Sequence, residues 1–216
     1  MKKKSFNWKY ILREIGIVSA GILIAFGINT LSANIANKKE VKEYRLSLVD
    51  DIEENLKSID KISNAQKLKV KELNTVIKSV DNDEINVQQL SNILFRQRKS
   101  PTFFPISGTF KSLVSQGNIE IFNTEVKREL YNLYDTHYER TRYNGVLYDE
   151  IYVEIYDKEI QEVLNLRTKK LESLDRLKSE DFLKKIYLII DEAESYLKLL
   201  DNSKIESQKM LIILDR

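Results

Sequence analysis

A chain of 216 residues with 35 basic and 33 acidic side chains has room for a short N-terminal segment and one modest domain. Five basic residues and one acid fall in positions 1–37, so the positive charge belongs to the N-terminus and not to a nucleic-acid-binding face. The absence of cysteine excludes thiolate nucleophiles, cysteine zinc sites and iron–sulfur clusters.

Residues 15–36, which begin IGIVSAGILIAFGINTL, carry no charge and are mostly apolar. As a helix they would extend ~33 Å at ~1.5 Å per residue, enough for the ~30 Å hydrocarbon core of a bilayer. Their strongly apolar side chains favour insertion by about 4 kcal/mol at best. The pattern predicts a transmembrane helix over 15–36, preceded by a basic cytoplasmic tail over 1–14.

The flanking charges predict the orientation of this span. Lys and Arg are more numerous before it than after it, and the side with more of them usually stays in the cytoplasm. Residues 38–216 are therefore expected outside the cytoplasm. A signal peptide cleaved near Leu31-Ser32-Ala33 and the reversed topology are the alternatives. The residues counted are Lys2, Lys3, Lys4, Lys9 and Arg13 before the span, and Lys38, Lys39 and Lys42 after it.

Small residues recur four apart in the span, as Gly16 with Ala20 and Gly21 with Ala25. This spacing lets two membrane helices approach closely. It indicates packing between copies of the chain, although glycine and alanine are common enough in spans for such pairs to arise by chance.

The remainder of the chain has helical periodicity. Residues 38–80 form a long amphipathic pattern that only Gln66 interrupts, and Asn86 is placed to cap a shorter helix over 87–97. Further helices are expected over 107–116, from about 124 to 164 with a kink at Asn144-Gly145, and after Ser179.

Both prolines lie in the irregular segment 98–105, beside Phe103 and Phe104. The two phenylalanines either form a docking loop or plug the end of the helical bundle. The plug is favoured, because aromatic side chains are usually covered.

Residues that could carry chemistry are few. His137 is the single histidine, and Tyr134 stands where a carboxylate-bridged metal site would need glutamate, so a structural histidine is expected. Acidic clusters alternate with lysine as on a solvated helix face. No phosphate-binding glycine loop or hydrolase motif occurs. We therefore expect no enzyme activity, no metal and no cofactor.

Tyr148, Tyr152 and Tyr156 form a stripe with four-residue spacing. Tyrosine packs well at the edge of a helical core and is also enriched at binding surfaces. Core packing is the favoured interpretation, and a partner surface is the alternative.

Two segments of the chain carry a recognisable pattern. The first runs from Glu14-Ile15 through Gly21-Ile22-Leu23-Ile24-Ala25 to Ile28-Asn29. The second comprises Thr109, Leu113, Gly117, Ile119, Phe122 and Asn123, followed by Leu130, Tyr131 and Tyr134. These segments resemble a family of uncharacterised bacterial single-pass membrane proteins, although Thr30 replaces a tryptophan typical of the family. The resemblance implies placement in a bacterial inner membrane with a helical exterior domain, and no reaction.

Taken together, the sequence predicts an all-α protein in which one N-terminal transmembrane helix continues into an antiparallel helical bundle. The expected function is a non-enzymatic envelope interaction or scaffolding module. Its expected partners are the membrane, a second copy of the chain or another envelope protein. The alternative is a ligand-sensing receptor domain that signals through a partner, although no small molecule is identified.

Overall fold

The computed structural model describes residues 8–97 and 100–215, and it is mostly helical, with 84% helix. The all-α prediction is confirmed. Side chains at 8–12, 14–17, 20 and 31–37 are not described. Half of the predicted tail over 1–14 therefore lies outside the described residues. The start of the irregular segment, residues 98–99, also lies outside them.

The longest element is α1, which runs from Trp8 to Asp81. It is followed by a turn at Asn82-Asp83, where short polar side chains are favoured and Asp83 adopts a left-handed φ of 56°. The chain divides by its contacts into two compact units, Met1–Leu46 and Ser47–Arg216.

In the first unit, the described large apolar side chains between Val18 and Ile28 of α1 are exposed. The exposed fraction is between 61% and 69% for Val18, Ile22, Leu23, Ile24, Phe26 and Ile28. Among the helical residues that the structure describes, no helix is long and apolar enough to cross a membrane. The predicted span over 15–36 is thus not confirmed.

The second unit adds further helices, of which α8 is the longest, and one hairpin to the end of α1. In chain order the helices are α2 (Val87–Arg96), α3 (Gly108–Ser115), a 3₁₀ turn (Asn118–Ile121), α4 (Thr124–Tyr131), a first π-helical segment (Asn132–Tyr138), α5 (Glu139–Ile155), a second π-helical segment (Tyr156–Ile160), α6 (Gln161–Val163), α7 (Leu174–Leu177) and α8 (Glu180–Asp215).

Several helix boundaries are capped by a side chain or a glycine, and the cap predicted at Asn86 is one of them. The side chain of Asn86 accepts a hydrogen bond from the Gln89 amide, and Ser179 Oγ accepts one from the Phe182 amide at 3.3 Å. Asn123 caps α4 in the same way. Gly117 follows α3 with a φ of 73°, a conformation that favours glycine.

The helix continues through Asn144-Gly145, and the departures from α-helical geometry lie in the two π segments instead. A Cβ atom at Gly145 would lie 2.5 Å from the hydroxyl oxygen of Tyr196 on α8. The glycine is therefore required for the close packing of α5 on α8. The predicted kink at this position is not observed.

A two-stranded hairpin interrupts the helices where the sequence predicted none. The strands β1 (Leu164–Asn165) and β2 (Lys170–Leu171) are antiparallel, with Leu164 opposite Leu171. Asn165 Oδ1 accepts hydrogen bonds from the amides of Arg167 and Thr168 in the turn.

The core of the second unit joins distant parts of the chain. Leu73 of α1, Leu90 of α2, Tyr152 of α5 and Ile186 of α8 belong to one buried cluster. Lys204 Nζ on α8 donates to Asp60 Oδ1 on α1 at 2.6 Å, across 144 residues of sequence. These contacts hold the C-terminal helix to the end of α1.

Candidate functional site

The segment between α2 and α3 is irregular but firmly held. Asn55, buried on α1, donates to the Ile106 carbonyl at 2.9 Å and accepts from the Ile106 amide at 2.7 Å. The Phe103 amide donates to the Tyr196 hydroxyl at 2.8 Å. Side chains from two helices thus supply the hydrogen bonds that this backbone lacks.

The two phenylalanines of this segment have opposite environments. Phe103 is fully buried and meets Tyr138 edge-to-face, with ring centroids 5.3 Å apart. Phe104 is 62% exposed. The core-plug interpretation therefore applies to Phe103, and only Phe104 remains available for docking.

The tyrosine stripe lies in the core. Tyr148, Tyr152 and Tyr156 are between 1% and 5% exposed, and successive rings lie about 6 Å apart. Burial raises the pKa of the Tyr148 and Tyr152 hydroxyls, which keeps them protonated. In this structure the stripe offers no accessible surface to a partner, because the three rings fill the core next to α1 and α8.

Beside the stripe lies a buried lysine that sequence reasoning missed. Lys69 of α1 is only 4% exposed, and its ammonium has no hydrogen-bond partner among the described residues. Its Nζ lies 3.7 Å from the ring centroid of Tyr152 and 5.5 Å from that of Tyr148. Aromatic ring faces stabilise a cation, but far less than water does.

Burial therefore lowers the pKa of Lys69 to about 7, and the negative charge of Asp149 opposes that shift. Burial also raises the pKa of Asp149 above its ordinary value. The lysine is thus poised to gain or lose its proton near neutral pH. The signal that could have located it is the interruption of the apolar stripe at Gln66, one turn earlier on α1.

Gln66 is itself buried and links the same region to the irregular segment. Its side-chain amide donates to the Pro101 carbonyl at 3.4 Å, and its oxygen accepts from the Tyr148 hydroxyl at 3.4 Å. The hydroxyls of Ser63, Ser100 and Tyr152 are buried without a hydrogen-bond partner in the described part of the chain. The core around Lys69 therefore contains polar groups, and several of them lack a hydrogen-bond partner among the described residues.

A second buried polar group joins the first π segment to α8. The hydroxyls of Tyr138 and Ser207 lie 2.7 Å apart, as do those of Thr141 and Ser203. Ser203 also donates to the carbonyl of His137 at 3.3 Å. The His137 side chain is half-buried. Within the described residues, no cluster of three or more potential ligands could hold a metal ion.

A small cleft opens on the surface beside the irregular segment. Its walls are Phe104, Pro105, Ser107, Phe110, Lys111, Tyr134, Asp135, Glu139 and Arg142, and its volume is about 130 Å³. The Tyr134 ring stacks on Phe110 with centroids 4.6 Å apart. The Tyr134 hydroxyl is buried and makes no hydrogen bond to any described residue.

The small residues of the predicted span are only partly described. Gly16 and Ala20 lie outside the residues whose side chains are described. Gly21 and Ala25 are exposed in the first unit, and a Cβ at Gly21 would meet nothing within 4 Å. Packing between copies at these positions stays a prediction.

Fold and site together define an all-helical protein with a buried lysine–tyrosine core and a small charged cleft. A family model matches residues 14–194, and the chain belongs to that family, a family of unknown function (DUF6090). No curated protein and no solved structure matches it.

Proposed function

We propose that this protein is a non-enzymatic module of the bacterial envelope, anchored in the inner membrane by α1 and acting through protein contacts. The observation that carries the proposal is the set of exposed apolar side chains between Val18 and Ile28. Exposed apolar patches of this kind mark surfaces that a membrane or another protein covers.

A bilayer is the cover that the surrounding sequence favours. The exposed residues include three in succession, Ile22, Leu23 and Ile24, which point in different directions around a helix. A protein partner would cover one side of α1, whereas lipid covers all of them. The uncharged stretch over 15–36 supports the same interpretation, because it has the length of one span.

The arrangement that we propose has the N-terminus in the cytoplasm and residues 38–216 in the periplasm as an antiparallel helical bundle. The excess of lysine and arginine before residue 15 supports this orientation. Homotypic contacts through Gly16, Ala20, Gly21 and Ala25, or contacts with another envelope protein, would then give the module its scaffolding role.

Anchoring is tested by charging the apolar stretch. The double variant Leu23→Arg/Ile24→Arg should shift the protein from the alkali-resistant membrane fraction to the soluble one, because each arginine costs about 2.5–3.5 kcal/mol at the centre of a span. Leu46→Arg is the matched control, since Leu46 is also exposed but lies after the stretch. A protein that is already soluble without substitution contradicts the proposal.

Orientation is tested by reporter fusions after Lys42 and at the C-terminus. An exported reporter should be active at both positions, and a cytoplasmic reporter at neither. Active cytoplasmic reporters at both positions would reverse the proposed topology, and release of a shorter soluble protein would identify a cleaved signal peptide instead.

A ligand-sensing receptor domain that signals through a partner is the second candidate function. The cleft beside Phe104 favours it, because this cleft contains charges of both signs and a hydroxyl without a hydrogen bond.

A further inference from the structure

We infer that the cleft between the irregular segment, α3 and the first π segment binds a small zwitterion with an apolar side group, such as a free amino acid. The inference rests on the second candidate function and names its ligand class. It does not depend on membrane anchoring.

The charged side chains that line the cleft favour a ligand with one positive and one negative group. Glu139 and Arg142 satisfy each other, since Arg142 Nε donates to Glu139 Oε2 at 3.0 Å. Lys111 and Asp135 line the same cleft, and among the residues that the structure describes neither forms a direct ion pair, although the charge of Lys111 also acts on Glu139. These two side chains complement the carboxylate and the ammonium of a zwitterion.

The hydroxyl of Tyr134 is a buried polar group at the cleft that lacks a hydrogen-bond partner among the described residues. Tyr134 is 5% exposed and lines the cleft, yet its hydroxyl has no partner among the described residues. Burial raises its pKa, so the group stays protonated and can donate a hydrogen bond. Buried polar groups in native proteins are almost always satisfied, and an acceptor group of a ligand in the cleft that Tyr134 lines would satisfy this one.

The apolar walls and the volume limit the ligand. Phe104, Pro105 and Phe110 contribute aromatic and aliphatic surface, and the segment that carries Phe104 is fixed by Asn55. The volume of about 130 Å³ is well below the roughly 300–1,000 Å³ of sites for drug-sized molecules. A preformed site of this size suits a molecule with few heavy atoms and one apolar group.

Calorimetric titration of the full chain in detergent micelles tests the inference. The probes are L-valine, isovalerate, which lacks the ammonium, and L-valinamide, which lacks the carboxylate. L-Valine should bind saturably, and each singly charged analogue should bind about two- to fivefold more weakly, because each loses one charged contact.

Each substitution should weaken binding only of the probes that carry the group it contacts. Lys111→Gln should weaken L-valine and isovalerate but not L-valinamide, whereas Asp135→Asn should weaken L-valine and L-valinamide but not isovalerate. Tyr134→Phe should weaken the two carboxylate-bearing probes. Lys185→Gln is the control, since Lys185 lines a different cleft. Circular dichroism verifies that each variant is folded.

Two results would overturn the inference. One is the absence of saturable heat with L-valine, L-leucine and L-phenylalanine at millimolar concentration. The other is binding that is unchanged in the folded Lys111→Gln and Asp135→Asn variants. Neither result would affect anchoring, which the fractionation experiment measures separately.

Discussion

Replacing the buried lysine with an apolar residue should stabilise this protein. An unfolded lysine has a pKa of 10.5, whereas burial lowers the pKa of Lys69 to about 7. Since a tenfold change in proton affinity corresponds to about 1.4 kcal/mol, holding Lys69 in the core costs about 4 kcal/mol at pH 7. Lys69→Met removes this cost.

The gain is reduced by the contact that the ammonium makes with the Tyr152 ring, which contributes about 1 kcal/mol. We therefore expect a net stabilisation of about 3 kcal/mol at pH 7. This corresponds to a rise in melting temperature of about 6–12 °C for a chain of this length. Thermal melting of the full chain in detergent, followed by circular dichroism, measures it. Lys71→Met is the control, since Lys71 is exposed on the same helix.

The lowered pKa of Lys69 also makes the stability of the folded protein depend on pH. Because the pKa of Lys69 is lower in the folded protein, the unfolded chain binds more protons between pH 7 and 10.5, and the free energy of unfolding rises with pH in that window. Lys69→Met should flatten this rise. A variant that melts below the wild type at pH 7, or that keeps the full rise between pH 7 and 9, would refute the reasoning.

Three further substitutions test the core. Tyr152→Ala should lower the free energy of unfolding by about 3 kcal/mol or more. Tyr152→Phe should leave it nearly unchanged, because the hydroxyl has no hydrogen-bond partner among the described residues. An unchanged melting temperature of the alanine variant would contradict the core interpretation and favour a partner surface. Gly145→Ala should cost about 1–3 kcal/mol through the clash with Tyr196, and Tyr196→Phe in the same chain should not restore stability, since the ring carbon also lies within 2.8 Å. Asn55→Ala should cost about 2 kcal/mol in chemical denaturation by leaving both polar groups of Ile106 without their partner, and a loss below about 0.5 kcal/mol would contradict that role.

Much of the fold was predictable because its signals are local. Helix periodicity predicted α1 from residue 38 onward and a helix after Ser179, and a short polar side chain predicted the cap at Asn86. The hairpin after Val163 was not predictable, since its strands are two residues long and a single asparagine organises its turn. The π segments likewise leave the apolar spacing nearly unchanged.

The candidate site was less predictable, because it depends on contacts between distant residues. Lys69 has the same kind of neighbours in sequence as an ordinary exposed lysine, and its burial against the Tyr148 and Tyr152 rings of α5 is a tertiary contact. Phe103 and Phe104 are adjacent and chemically identical, yet only the Phe103 ring is buried, next to the hydrogen bond from its backbone amide to Tyr196. The tyrosine stripe could be predicted as core, but the cation against it could not.

The contacts of α8 also constrain the order in which the protein folds. The bond from Lys204 to Asp60 and the bond from Phe103 to Tyr196 join residues 144 and 93 positions apart. Until the last helix leaves the ribosome, Asp60 of α1 and the amide of Phe103 therefore lack these native partners, although Leu73 of α1 can already pack against Leu90 of α2. The core of the second unit is completed only when α8 closes these long loops.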